Sequence, residues 1–269
     1  MPALPQPRPT SLPDGRTTAA ARRLLAPNPS PMTLDGTNTW LLGAPADDGS
    51  PRPAIVVDPG PALEEHLDAI TAAARIELVL ITHRHRDHTE AIDALVERTG
   101  APVRALLPEH SRDGAPLRDG ERIEAAGVAV EVVATPGHTS DSVSFWLPDE
   151  GVLLSGDTVL GGSTTVIDHP DGTLGDYLAT LDALERLGRE RPTGILPGHG
   201  GEIADLAAET ARLREHRMRR LEQVRAALDR LGRDAPVEAI VDDVYADAPA
   251  RVRTWAAHSL AAQLAYLRG

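Results

Sequence analysis

The apolar run IELVLI at 76–81 leads directly into Thr82-His83-Arg84-His85-Arg86-Asp87-His88, and this junction constrains the chain more than any other feature. Six such residues rich in Ile, Leu and Val read as a buried strand. Three histidines and an aspartate therefore crowd onto one loop at a sheet edge. A histidine can give one ring nitrogen to a metal while the other donates to a supporting group, and an aspartate supplies a hard anionic oxygen. A lone histidine in a polar loop is ordinarily just a polar residue. Four ligand types within six positions reverse that expectation.

Three more loops repeat the theme: Pro136-Gly137-His138-Thr139, Ser155-Gly156-Asp157-Thr158 and Pro197-Gly198-His199-Gly200. Each sets one ligand type after a glycine, where the backbone can turn sharply, and follows an apolar run that gives a rigid base. One such tripeptide alone is a common turn, so the inference rests on their joint occurrence and order. The chain has no cysteine. Disulfides, thiolate nucleophiles and thiolate ligands are thereby excluded together, and a metal here must be held by histidine and carboxylate.

From about residue 53 short β-rich runs alternate with amphipathic ones: PAIVVDPG, ALEEHLDAITAAA, IELVLIT, EAIDALVERTG and APVRALLP. Alternation of strand and helix implies an α/β fold. Residues 121–156 read mainly as sheet, 173–187 as a helix, and GILPG as a last strand. From about residue 202 the composition shifts to Ala, Leu and Arg without a clear strand, with breaks near 232–236 and 248–249. The expected organisation is a flexible Pro-rich leader at 1–16, a metal-binding domain at 17–205, and a small helical domain at 206–269.

HxHxDH followed by a downstream His, an Asp and a final His resembles the signature of the metallo-β-lactamase superfamily. The resemblance implies an αββα sandwich in which His83, His85 and His138 hold one metal, Asp87, His88 and His199 hold a second, and Asp157 bridges them. Asp58 in VVDPG matches the family's first motif and would support the ligand loop from behind. The segments APNPSPMTLDGTNTWLLG, VVDPGP, THRHRDHTEAI, GDTVLGGSTTVI and DYLATLDAL look most like the beta-lactamase-like protein 2 group and its bacterial relatives. Those relatives carry a C-terminal winged-helix-like domain, similar in length and pattern to 210–269. The likeness runs from about Leu25 to the C-terminus and leaves the leader uncovered.

Two divalent ions roughly 3.5–4 Å apart share a water, lower its pKa towards about 7, and yield a hydroxide nucleophile. Asp87 or Asp157 would accept its remaining proton. Zinc suits neutral imidazole, and iron or manganese fits the same ligands. The resemblance implies endoribonuclease activity on single-stranded RNA. A thioesterase or hydroxyacylglutathione-type hydrolase of small acyl esters and thioesters shares every metal motif. A mononuclear iron persulfide dioxygenase, a β-lactamase and a non-catalytic nucleic-acid-binding module stay open as well. The β-lactamase is less favoured because Asp157 stands where penicillin-hydrolysing relatives often use cysteine.

Residues 209–233 hold eight arginines against four acids, a net of 8 − 4 = +4. They could line a phosphate path, but acid and arginine at i, i+3 and i+4 spacing also simply stabilise a solvated helix, which is the favoured reading. Only Tyr245, Trp255 and Tyr266 follow Tyr177 among Phe, Tyr and Trp, so stacking platforms are scarce. Thr164, Thr165, His169 and Tyr177 are expected at the pocket rim. The net charge of −13 disfavours long-range attraction to nucleic acid or anionic membranes. With no run of roughly 18–20 apolar residues and no apolar signal core in the leader, a cytoplasmic protein off the membrane is expected. The oligomeric state stays open, with a homodimer among those allowed.

Overall fold

The computed structural model describes residues 8–12, 17–44, 52–246 and 250–268. Two mixed sheets form its centre. The first runs in chain order through β1 (Arg8–Ser11), β2 (Thr17–Leu25), β3 (Asn38–Leu42), β4 (Pro53–Val57), β5 (Arg75–Leu80) and β6 (Val103–Arg104). Its last three strands are parallel and the rest antiparallel. The second is ordered β11 (Gly194–Pro197), β10 (Val152–Gly156), β9 (Val143–Leu147), β8 (Val128–Ala134) and β7 (Arg122–Ala125), with only β10 and β11 parallel.

Both faces of the central strands are covered, so they read as continuous apolar runs rather than alternating ones. Trp40, Leu42, Ile55 and Leu80 meet Val130, Val132, Phe145 and Leu154 between the sheets. The opposite strand positions, Leu41, Val56 and Val79, face Leu67 and Ile70 of α1 (Glu64–Ala73) and Ile92 and Leu95 of α3 (Ile92–Thr99), the single turn α2 (Arg86–Thr89) falling between these helices in the chain. On the far side Trp146, Leu153 and Ile195 meet Tyr177, Leu181 and Leu184 of α4 (Leu174–Glu190). Helix, sheet, sheet and helix thus stack as the expected αββα sandwich.

Beyond β11 all regular structure among the described residues is helical: α5 (Leu206–Leu231), α6 (Val237–Val244) and α7 (Ala250–Arg268). The Asp205 side chain caps α5 by accepting from the Ala208 amide, and the helix stops at Gly232, with φ of 98°. These helices have their own apolar cluster around Val224, Ile240, Leu260 and Leu264. Leu213, Leu221 and Ala262 also join the α4 core, so the helical part is continuous with the sandwich. A wing would need a strand pair, and none lies beyond β11 among the described residues. No helix there is long and apolar enough to cross a membrane.

The N-terminal stretch departs from expectation. Residues 8–11, assigned to a flexible leader, pair with β2, Arg8 opposite Arg23 and Ser11 opposite Thr17. Leu12 anchors this strand: it is buried in the inter-sheet core, and a Cβ at Gly194 would lie 2.4 Å from its Cδ1. The rest of the proposed leader falls outside the described residues.

Candidate metal centre

The four ligand-bearing loops follow β5, β8, β10 and β11, so two sheets deliver them to one edge of the sandwich. Glycine permits the close approach that the sequence suggested. A Cβ on Gly198 would sit 2.5 Å from Asp157 Oδ1 and 2.9 Å from His88 Cε1. One on Gly137, where φ is 137°, would strike the α4 backbone 2.4 Å away at Tyr177 Cα. Any larger residue would push His199 or His138 out of place.

Two groups of donors result. His85 Nδ1 lies 3.1 Å from His83 Nε2 and 3.0 Å from His138 Nε2. Beside it, His199 Nε2 is 3.3 Å from His88 Nε2 and 3.1 Å from Asp87 Oδ2. Asp157 stands between them, with Oδ1 3.4 Å from His88 Nε2 and Oδ2 3.3 Å from His199 Nε2 and 3.8 Å from His138 Nε2. The three-residue sets His83/His85/His138, Asp87/His88/His199 and His83/His88/Asp157 each bring their donor atoms within 4.8 Å of one another.

The outward ring nitrogens are all engaged. His88 Nδ1 meets Asp58 Oδ2 at 2.8 Å, His199 Nδ1 the Gly36 carbonyl at 3.1 Å, and His83 Nδ1 the Thr82 hydroxyl at 3.0 Å. His138 Nδ1 meets the Val166 carbonyl at 2.5 Å, and His85 Nε2 meets Asp168 Oδ2 at 3.3 Å. With the outer nitrogen of each ring engaged, the inner one faces the centre and can give its lone pair to a metal ion once it carries no proton. Asp157 Oδ1 is buried with no hydrogen-bond partner. Converging imidazole lone pairs, an orphaned carboxylate oxygen and the absence of thiolate fit divalent metal ions.

Electrostatics divide the cluster in two. Burial pushes His83 well below the usual histidine range and His138 down to about 4, which keeps both neutral and able to ligate. Burial acts the same way on His88, but the carboxylates of Asp157, Asp58 and Asp87 outweigh it and hold this imidazole well above its ordinary value. His199, likewise opposed by burial, is raised to about 9, mainly by Asp157. Burial would raise Asp87 and Asp157, yet the neighbouring imidazoles bring Asp87 to about 2 and Asp157 well below the carboxylate range. Three carboxylates therefore demand positive charge at His88 and His199, from protons or from metal ions.

All seven proposed ligands meet here, and Asp58 stands behind them, also accepting from the Thr82 amide at 2.8 Å and hydroxyl at 2.7 Å. Thr164 and Thr165 line a cavity of about 290 Å³ that opens beside His138 and Asp157. The other two rim residues do not. His169 is exposed and does not line this cavity. Tyr177 is fully buried in the α4 core and donates its hydroxyl to the Thr158 carbonyl at 2.9 Å.

Two participants went unforeseen. Asp168 supports His85 and is itself held by Arg84, 2.6 Å away, which also pairs with Asp171 at 3.1 Å. Arg217 donates to the Thr165 carbonyl, and the Thr165 hydroxyl lies 3.0 Å from His138 Nδ1. Nothing in the sequence marks Asp168, and the arginine cluster of 209–233 includes Arg217 without singling it out.

Residues 32–199 match the profile of the Metallo-beta-lactamase superfamily, and the chain belongs to that superfamily of metallo-hydrolases. It is 34% identical over 247 residues to the Beta-lactamase-like protein 2 homolog of Caenorhabditis elegans, spanning 87% of this chain and 79% of that one. It is also 34% identical over 224 residues to the Atrochrysone carboxyl ACP thioesterase of Aspergillus chevalieri, spanning 81% and 68% respectively. The crystal structure of a metallo-beta-lactamase family protein from Thermus thermophilus has the same fold, with a TM-score of 0.74 over 93% of both chains at 24% identity.

Proposed function

We propose that this chain is a two-metal hydrolase of small acyl thioesters. His83, His85 and His138 would hold one ion and Asp87, His88 and His199 the other, with the Asp157 carboxylate available to both. Zinc suits imidazole donors best, and iron or manganese fits the same donors. The cavity beside His138 and Asp157 carries the substrate class. At about 290 Å³ it has the size of a small-molecule pocket, and Pro31, Met32 and Leu160 give it an apolar side for an acyl chain. The fungal relative named as a thioesterase supports the same reading.

The ions, when bound, activate a water at neutral pH and neutralise charge on the attacked carbonyl. Asp87 has 29% of its side chain exposed against 11% for Asp157, so Asp87 is the carboxylate that passes the water's proton to solvent. Asp58 and Asp168 keep His88 and His85 turned inward.

Cleavage of single-stranded RNA is the second reading, and it is favoured by His216, Arg217 and Arg220 on the cavity wall. Four other arginines of α5 are already paired with acids, which speaks against an open phosphate track. Arg212 pairs with Glu209, Arg214 with Asp182, Arg219 with Glu215 and Arg230 with Asp243. A parallel assay of the metal-loaded chain on an acyl thioester, single-stranded RNA and a chromogenic β-lactam decides the matter, with Asp87→Ala as control. Thioester hydrolysis lost in that variant is the expected result. RNA cleavage without thioester hydrolysis would replace this reading with the second.

A further inference from the structure

We infer that the helical wall of the cavity is an anion-recognition subsite, in which Arg217 and Arg220 hold a phosphate or carboxylate on the thiol arm of the substrate. This rests on the thioesterase reading and adds the substrate's second point of attachment.

Arg217 is the central observation. It lies on α5, is only 4% exposed and lines the cavity. Its guanidinium donates to the Thr165 carbonyl and stands 5.2 Å from the centre of the Tyr177 ring, while Nε has no hydrogen-bond partner. No carboxylate pairs with it among the described residues. A buried cation without a counter-ion is unfavourable unless an anion completes it. Elsewhere on this helix the more exposed Arg212 and Arg219 pair with acids of α5 itself, Arg214 with Asp182 of α4 and Arg230 with Asp243 of α6. On the side of α5 that faces the cavity, neither Arg217 nor Arg220 has an acid partner among the described residues.

The neighbouring groups agree. Arg220 packs over the Tyr245 ring at 4.6 Å and, among the described residues, bonds only to neutral Gln223. Gln263, on the facing helix α7, is 2% exposed with Oε1 unpartnered, an acceptor that calls for an N–H or O–H donor on the same ligand. Among the described residues the one carboxylate on the lining is Asp157, which belongs to the metal centre. Burial, reinforced by Arg217, Arg220, Arg219 and Arg212, holds His216 below its ordinary value, as a wall of positive potential requires. The cavity thus joins the metal centre and an apolar side to a cationic wall. A thioester with an anionic thiol arm fits that sequence of environments.

Two measurements test the subsite. The first compares kcat/KM of the metal-loaded chain for three acyl thioesters: of 4′-phosphopantetheine, of glutathione, and of uncharged N-acetylcysteamine. One anionic thioester should exceed the neutral one about ten- to hundredfold, chiefly through KM, and its identity distinguishes phosphate from carboxylate. Arg220→Met should erase most of that ratio, and Arg214→Met, outside the cavity, should preserve it. The second is calorimetric titration of the full chain, stripped of metal so that anions cannot ligate the ions, with 4′-phosphopantetheine and with glutathione. Binding of either that weakens in Arg220→Met supports the subsite. Equal hydrolysis of all three thioesters without measurable binding overturns it and leaves the thioesterase standing. If no thioester is cleaved, the thioesterase reading fails, and the titration alone decides the subsite, with no binding overturning it.

Discussion

Asp58 Oδ2 accepts a hydrogen bond from His88 Nδ1 at 2.8 Å, and both side chains are buried. The same carboxylate takes the Thr82 amide and hydroxyl, so one residue fixes both the start of the ligand loop and the tautomer of its last histidine. Asp58 adopts φ of 55°, a left-handed conformation that asparagine also tolerates. Asp58→Asn is therefore expected to preserve the backbone while weakening the metal at His88 about 10- to 100-fold. Metal titration of the two proteins at one pH checks this, and equal affinity would argue against the supporting role.

Asp87 belongs to the second donor group and is its most solvent-open member. Asp87→Ala should abolish most hydrolysis and lower bound metal from two ions towards one, with the melting temperature of the metal-free protein little changed. Full activity in this variant would exclude the two-metal mechanism. Elemental analysis beside turnover separates loss of the ion from loss of the proton acceptor.

Metal affinity should depend on pH through His199. Its imidazole, raised to about 9, carries a proton at neutral pH that an ion must displace from Nε2. Acidification below pH 9 therefore weakens binding about tenfold per pH unit for this proton, and above pH 9 the dependence on His199 disappears. Zinc titrations at pH 7 and 8, with proton release followed in two buffers, read this directly. Identical affinities at the two pH values would contradict the charge balance described for the cluster.

His66 governs a separate pH effect, on stability. It is buried on α1, where Nε2 donates to the Thr39 hydroxyl at 2.9 Å and Nδ1 has no partner. Burial lowers its pKa from 6.5 to about 4. Above pH 6.5 neither the folded nor the unfolded form holds the proton, and the full stability is present. Between pH 6.5 and 4 the unfolded chain binds it and the folded chain does not, so stability falls by about 3 kcal/mol over that window. His66→Gln retains a donor for Thr39 and removes the titration. Urea unfolding at pH 7 and 4.5 should show a smaller loss in the variant, and an unchanged loss would acquit His66.

The donor set was legible because its loops follow predominantly apolar strands, and because the glycines preceding His138, Asp157 and His199 mark close approach. β2, with the sequence TTAAARRLL, carries no comparable signal. Its Ala and Arg content favours helix as much as strand, and it is extended because β1 and β3 flank it with backbone partners. Tyr177 shows a different limit. Helical spacing identifies an apolar face on α4 but does not say whether that face meets a cavity or a core, and here it meets the core. Beside His169, the neighbouring Asp168 is the residue that reaches the site, because Arg84 draws its carboxylate towards His85.

By itself the sequence determined the donor chemistry, histidine and carboxylate without thiolate, and placed each donor at the end of a strand. Local pattern suffices for that, since strand periodicity and turn residues act over a few positions. The tertiary structure decided which nitrogen of each ring faces inward, which carboxylates stand behind, and which arginine loses its counter-ion. His88 and His199 lie 111 positions apart in the chain and 3.3 Å apart in space. Packing of the two sheets across Trp40, Ile55, Phe145 and Leu154 sets that separation, and no short-range pattern encodes it.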